Sequence, residues 1–248
     1  MISIRKLAPI GIAATLAFAG MSASADDYRA EVRLFGEHAN LPDDSPDVDV
    51  LGVTGTYYLE PVRTDGLPLA EAAFLGRSSF VSASAARSEL GDEKIDILGA
   101  SFGYYVPDTI FYGRLGITYL DDFSPGDRSI VNGTFGITPL DGLMLSTDFD
   151  ENGWDPNVTA KYVGKMANSH FYAASVSAVD PDEGDTSVGV NFDYFLDTTF
   201  KVGAGFASGD DRFSLSAEKF FTPSFAVGGS VYTGDQANGL SAQVAWRF

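Results

Sequence analysis

Thr109-Ile110-Phe111-Tyr112-Gly113-Arg114-Leu115-Gly116-Ile117-Thr118-Tyr119 is the stretch that decides the fold. In an extended chain, successive side chains point to opposite faces. Phe111, Gly113, Leu115, Ile117 and Tyr119 then share one face, and Ile110, Tyr112, Arg114, Gly116 and Thr118 share the other. One face is largely apolar and the other holds small groups and a charge, which is the period-two signature of a strand. The same pattern returns at Val188–Tyr194, at Phe200–Ala207 and at the end of the chain. There Leu240, Ala242, Val244, Trp246 and Phe248 oppose Ser241, Gln243, Ala245 and Arg247.

Outward from these segments, about fourteen such units follow one another, with 12–16 the range the pattern allows. They start near Tyr28, Val48, Glu71, Lys94, Thr109, Arg128, Gly142, Pro156, Ser169, Asp185, Thr198, Asp211, Ser224 and Asn238. In the third, Glu71 to Ala85, the alternation slips around Arg77, which predicts a bulge. No later stretch keeps a helical period.

The connections are of two alternating kinds. Pro107-Asp108, Leu140-Asp141-Gly142, Ala167-Asn168, Asp197-Thr198 and Thr222-Pro223 are short, with hairpin-turn chemistry. Leu41–Asp49, Ser88–Glu93, Asp121–Asp127, Asp150–Asp155, Asp180–Asp185, Asp210-Asp211 and Asp235 are acidic. In an up-and-down array alternate connections lie at opposite ends, so one end is neutral and the other acidic. Glu60 to Ala70 is a longer connection at the neutral end, and the Ala70–Leu75 run is able to form a helical turn. Aromatic residues gather beside the neutral turns: Tyr57-Tyr58, Tyr104-Tyr105, Phe111-Tyr112, Phe171-Tyr172, Tyr194-Phe195, Phe200, Phe220-Phe221, Phe225 and Trp246 with Phe248. Such a ring of aromatics is what an interfacial girdle requires.

Composition narrows the class. The chain has 248 residues, no Cys and two His. Disulfides, thiolate metal sites and Cys nucleophiles are thereby excluded. Sixteen Lys and Arg against 34 Asp and Glu give −18, which disfavours a nucleic-acid partner, since affinity there comes from neutralising phosphates. A mean hydropathy of +0.02 excludes a bundle of spanning helices. Arg5 and Lys6, the apolar run Leu7–Met21 and Ala23-Ser24-Ala25 read as a secretory signal peptide over residues 1–25, leaving residues 26–248 as one mature domain. Its removal takes two cations with it, so the charge deepens from −18 to −20.

A soluble β-sandwich also alternates apolar and polar residues. Three features favour an antiparallel transmembrane β-barrel instead. One face is almost free of charge, with Lys219 the exception near an end, where snorkelling is cheap. The regular segments, short turns and aromatic girdle fit an outer-membrane barrel, and a sheet in lipid has to close because unpaired backbone groups are costly there. Finally, the sequence ends on an aromatic strand with Phe248 last, which resembles the signal read by the outer-membrane barrel assembly machinery.

Tyr57-Tyr58-Leu59-Glu60-Pro61-Val62, followed by Pro68-Leu69-Ala70-Glu71-Ala72-Ala73-Phe74-Leu75, resembles the N-terminal part of a porin family of the Gram-negative outer membrane, small general-porin-like barrels. The resemblance implies an outer-membrane barrel with a pore. It carries over no catalytic residue and no cofactor.

Barrels of about eight strands fill with side chains, whereas sixteen to eighteen leave an aqueous channel. Fourteen lies nearer the channel. Gly99, Ser101, Gly103, Gly203, Gly205, Ser214, Ser216, Gly228 and Ser230 on the inner face leave space. None of the acidic loops is long enough to fold in as a plug, so narrowing is expected from wall side chains. The expected pore-lining charges are Arg29, Glu31, Arg33, Arg77, Arg114, Asp148, Lys161, Lys165, Asp193, Lys201, Arg212 and Glu218. This wall leans basic while the loops at the mouth are acidic. The net charge favours a cation-preferring pore for small hydrophilic solutes. The alternative is a non-conducting barrel that presents acidic loops to surface partners. Well-interlocked Arg–carboxylate clusters would mark that alternative.

Asp148-Phe149-Asp150-Glu151-Asn152-Gly153 matches the opening of a Ca²⁺ loop, which makes Asp148, Asp150 and Asn152 weak metal candidates. The twelfth position is Thr159 rather than Glu, so the closing bidentate ligand is missing. Divalent ions drawn to the acidic loops would bridge to lipopolysaccharide phosphates. His38 and His170 fall at opposite ends of the array, so no Ser-His-acid grouping forms and no enzyme is expected. Apolar outer walls would also allow a homo-oligomer.

Overall fold

In the computed structural model the described residues are 27–42, 45–121, 128–150, 153–167, 170–179 and 186–248. The expected signal peptide, Asn152 and much of the acidic loops lie outside them. Fourteen strands run in chain order: β1 (Asp27–Asn40), β2 (Val48–Arg63), β3 (Phe80–Leu90), β4 (Glu93–Tyr105), β5 (Phe111–Asp121), β6 (Arg128–Leu140), β7 (Leu143–Asp150), β8 (Gly153–Lys165), β9 (Phe171–Val179), β10 (Ser187–Asp197), β11 (Phe200–Ala207), β12 (Arg212–Thr222), β13 (Phe225–Thr233) and β14 (Asn238–Arg247). Each pairs antiparallel with its neighbours, and β14 closes on β1. The seam runs from Glu31 opposite Arg247 to Asn40 opposite Asn238. At its lower end Phe248 exchanges backbone hydrogen bonds with Ala30 and accepts one from Arg29. No sheet edge is left open, as hydrocarbon demands.

The alternation sets the two faces. Leu115 is 60% exposed and Leu215 63%, and Leu98, Phe213, Val231 and Leu240 are exposed on the same outer side. A continuous apolar belt of this kind is foreign to a soluble monomer and proper to a lipid-facing wall. Lys219 does point outward, and its ammonium reaches Thr199 Oγ1 at 2.6 Å and Asp197 at 3.6 Å in the adjoining turn. Among the described residues the neutral turns lie at one end with the start of β1 and the end of β14, and the strand ends that flank the acidic connections lie at the other. Short turns mark the periplasmic end of such a barrel.

The third and eighth strands begin elsewhere than the alternation suggests. β8 starts at Gly153 rather than Pro156. β3 starts at Phe80 rather than Glu71. The residues from Leu69 to Glu71 form a 3-10 turn and Ala72–Leu75 one helical turn, α1. Arg77 leaves it with φ +49°, and the chain then enters β3. The slip of alternation around Arg77 is therefore not a bulge within a strand but the exit of an inward-folded segment.

That segment, residues 64–79, is folded into the neutral end of the barrel. Leu69 packs on Phe220, Ala226 and Ala245 of β12, β13 and β14. Ala72 packs on Tyr28, Tyr58 and Val62 of β1 and β2. Phe74 and Leu75 pack on Val163, Phe171, Ala173 and Phe195 of β8, β9 and β10. These are the buried apolar clusters among the described residues, and each forms where the segment meets the wall. The expectation that only wall side chains narrow the lumen is thus corrected. A segment from the neutral end reaches across the mouth because its apolar residues find buried aromatic partners there, and burying them removes apolar surface from water.

Candidate functional site

The aromatic doublets explain both faces at once. In Tyr57-Tyr58, Phe171-Tyr172, Tyr194-Phe195 and Phe220-Phe221, the pleat sends one ring out and the other in. Tyr57 and Phe221 are exposed outside, while Tyr58, Phe171, Phe195 and Phe220 are buried inside against residues 64–79. The girdle expected from the sequence is real, but half of each doublet belongs to an inner ring that seats the segment. The doublets themselves were the signal for that ring, since a girdle alone needs only every second position.

Polar contacts complete the seat. Arg247 donates from Nη1 to the Leu69 carbonyl at 3.0 Å and from Nε to Glu31 at 2.7 Å. Its guanidinium lies between the rings of Tyr28 and Phe220, 4.4 Å from each centroid. Lys161 donates to Glu71 at 2.7 Å and lies 4.5 Å over the Phe74 ring. The Leu69 N–H donates to the Thr198 carbonyl at 2.7 Å. The segment is thereby tied to β8, β14 and the β10–β11 turn.

Most of the expected lumenal charges come together in pairs. Arg33 donates to Glu31 at 2.9 Å and to Gln243 at 2.9 Å, and lies 3.6 Å from Glu218. Gln243 donates in turn to Glu218 at 3.2 Å. With Arg247 this forms a chain of two cations and two carboxylates across β1, β14 and β12. Lys201 lies 3.5 Å from Asp193, and Arg212 2.7 Å from Asp210. Thr134 and Asn157 both donate to Asp148. Arg114 faces the lumen from β5 and is exposed, and Lys165 lies near the neutral mouth, 5.5 Å over the Phe171 ring. A wall that reads as basic one residue at a time is close to neutral once register pairs it.

Two expected lining residues stand elsewhere. A register shift between Tyr28 and Ala30 breaks the alternation at Arg29, which is exposed at the neutral end. Arg77 is on the inward segment, not the wall, and its guanidinium reaches the Thr138 carbonyl at 3.3 Å and Asp141 at 3.5 Å. Of the metal candidates, Asp148 is a wall residue committed to Thr134 and Asn157, and Asp150 ends β7. Among the described residues no group of three His, Asp or Glu is arranged to hold a metal ion. His38 contacts Asp49 at the acidic end, and His170 contacts the Tyr194 hydroxyl at the other.

Above the seated segment lies a cavity of about 350 Å³ bounded by Glu71, Lys161, Asn191, Asp193, Lys201 and Ser216, among others. Glycines open this part of the wall. A Cβ on Gly203 would collide with Asp193 Oδ1 and Ser216 Oγ, and one on Gly205 with Asn191 Oδ1 and Ser214 Oγ. Without those atoms, side chains from β10 and β12 lean over β11 and converge.

A family model described as "Putative general bacterial porin" matches residues 4–139. No curated protein matches the chain. Among solved structures, the Acinetobacter baumannii outer membrane protein Omp33 superposes with a TM-score of 0.74 at 23% identity, over 91% of this chain and 100% of that one. A triple mutant of Rh. blastica porin gives 0.46 at 12% identity over 88% and 100%. The KdgM porin in complex with disordered oligogalacturonate gives 0.44 at 10% identity over 87% and 99%.

Proposed function

The chain belongs to this family of general bacterial porins, and from that premise we propose that it passes small hydrophilic solutes by passive diffusion through a lumen whose periplasmic mouth is narrowed by residues 64–79. It is a porin of the Gram-negative outer membrane, a channel rather than an enzyme. The observation that carries the proposal is the barrel interior: a closed fourteen-stranded wall with small side chains and a polar cavity, with a short segment folded in at one end. Solute size is limited by that segment and solute charge by the ends. The paired wall leaves little net field, so the acidic connections at the outer mouth dominate and gather cations. On this reading residues 1–25 are removed on export, Phe248 is the residue presented for barrel assembly, and divalent ions link the acidic rim to lipopolysaccharide.

The interlocked Arg247–Glu31–Arg33–Glu218 chain and the seated segment favour a second reading, a barrel that conducts little and works through its outer loops. Planar-bilayer conductance of the refolded protein under a salt gradient separates the two. Reproducible unitary steps with a cation-selective reversal potential are expected. A protein that inserts and is heat-modifiable on gels, yet gives no steps, establishes the closed barrel instead.

A further inference from the structure

The cavity above the inward segment combines two ammonium groups, two carboxylates, an amide and hydroxyls in one small space. Lys161 and Lys201 supply the cations, Glu71 and Asp193 the anions. Each ammonium has three donors, and each of these two has a single carboxylate partner among the described ion pairs. The Lys201–Asp193 contact is long, 3.5 Å, and both side chains keep about a fifth of their surface exposed. They are held near each other with bonding capacity left over. The volume corresponds to about a dozen waters at roughly 30 Å³ each.

The glycines show that this convergence is built into the wall. Gly203 lies under Asp193 and Ser216, and Gly205 under Asn191 and Ser214. Any side chain at either position would drive those polar atoms apart. Relief of crowding in a curved sheet accounts for glycine on a strand, but not for four polar side chains from flanking strands meeting over two of them.

We propose that this cavity is a recognition site for small zwitterions of the α-amino-acid class, with the carboxylate bound by Lys201 and Lys161 and the ammonium by Asp193. Asn191 and Ser216 complete the polar shell. A solute with both charges and no net charge passes the acidic outer mouth without the repulsion an anion meets, then finds complementary charges of both signs inside. A purely cationic or anionic solute engages charges of one sign only and adds its own net charge to a cavity that is otherwise balanced. The proposal deepens the channel reading, since the solute is taken to reach the cavity from the outer mouth.

The test is calorimetric binding to the detergent-purified full chain at low salt, with L-alanine, L-alaninamide and propionate as probes. L-Alanine is expected to bind at least about tenfold more tightly than either half-probe. Lys201→Met should abolish the preference over alaninamide, and Asp193→Asn the preference over propionate. Gly203→Ala, which leaves every charge in place, should weaken alanine binding by displacing Asp193. Lys94→Met, at the outer rim beside Glu89, should bind alanine as the parent does. No saturable alanine binding up to about 0.1 M, or equal binding of the three probes, overturns the proposal. Retention of the preference in both charge variants also overturns it. Bilayer conductance reports separately on the channel: steps without binding remove the site alone, and binding without steps removes the channel reading alone.

Discussion

Leu69→Ala tests whether residues 64–79 are held in the mouth by packing. Leu69 is 5% exposed, and its buried neighbours, Phe220, Ala226 and Ala245, all belong to the wall. Truncating a buried leucine to alanine costs about 2–5 kcal/mol when the surroundings relax only partly. The barrel does not lose this energy, because its strands keep every ladder hydrogen bond. The loss falls on the equilibrium between seated and unseated segment. At about 1.4 kcal/mol per tenfold, the unseated fraction should rise roughly 30-fold to 4,000-fold. The chain has no Cys, so a single reporter is clean. Ala72 is fully buried beneath Tyr28 and Tyr58, and Ala72→Cys therefore reacts with a maleimide only when the segment leaves its seat. When opening and closing are fast relative to labelling, the rate follows the open population. Faster labelling in Leu69→Ala, with unchanged heat-modifiable migration, is the expected outcome. An unchanged rate in a folded barrel would refute the view that packing holds the segment.

Three further outcomes follow from other contacts. Arg247→Met should cost about 3–5 kcal/mol by stranding Glu31 as a buried, undercompensated carboxylate, lowering the temperature at which the folded gel band is lost; Arg247→Met with Glu31→Gln should recover part of it, and no recovery would mean that only ring packing was lost. Arg114→Glu replaces an exposed lumenal cation with an anion, so the reversal potential should move further toward cations, and no movement would place Arg114 outside the ion path. Gly142 has φ +76° and a Cβ there would strike the Val163 carbonyl oxygen; Gly142→Ala should destabilise the β6–β7 turn by at least about 1–2 kcal/mol, read as a lower urea midpoint.

How far the sequence carries the structure depends on the range of the interaction. Alternation in Thr109–Tyr119 is a local property, and it locates β5 within two residues of Phe111–Asp121. The alternation of neutral and acidic turns is also local, and it assigns the two ends. The helical turn expected within Ala70–Leu75 is present at Ala72–Leu75, but its seating inside the barrel is not legible in the sequence, because it depends on distant partners such as Phe195 and Phe220. Lumenal charge fails for a similar reason. Arg247 and Glu31 are 216 positions apart, and only barrel closure brings them to 2.7 Å. Strict alternation puts Arg29 on the lumenal wall, but a register shift at the very start of β1, which nothing in the pattern marks, leaves it at the neutral end.

The bond from Arg247 to the Leu69 carbonyl joins positions 178 apart and crosses the interior behind the seam where the last strand meets the first. While β14 is unpaired, residues 64–79 lack Phe220, Ala226, Ala245 and Arg247 in their final positions, and so lack one whole flank of their seat. The seat is therefore complete only when the wall is. Once it is complete, the segment acts as a bolt across the seam, resisting any parting of β1 from β14. Closure and obstruction are thus one joint: the last strand completes the seat, and the seated segment in turn guards the seam that strand makes.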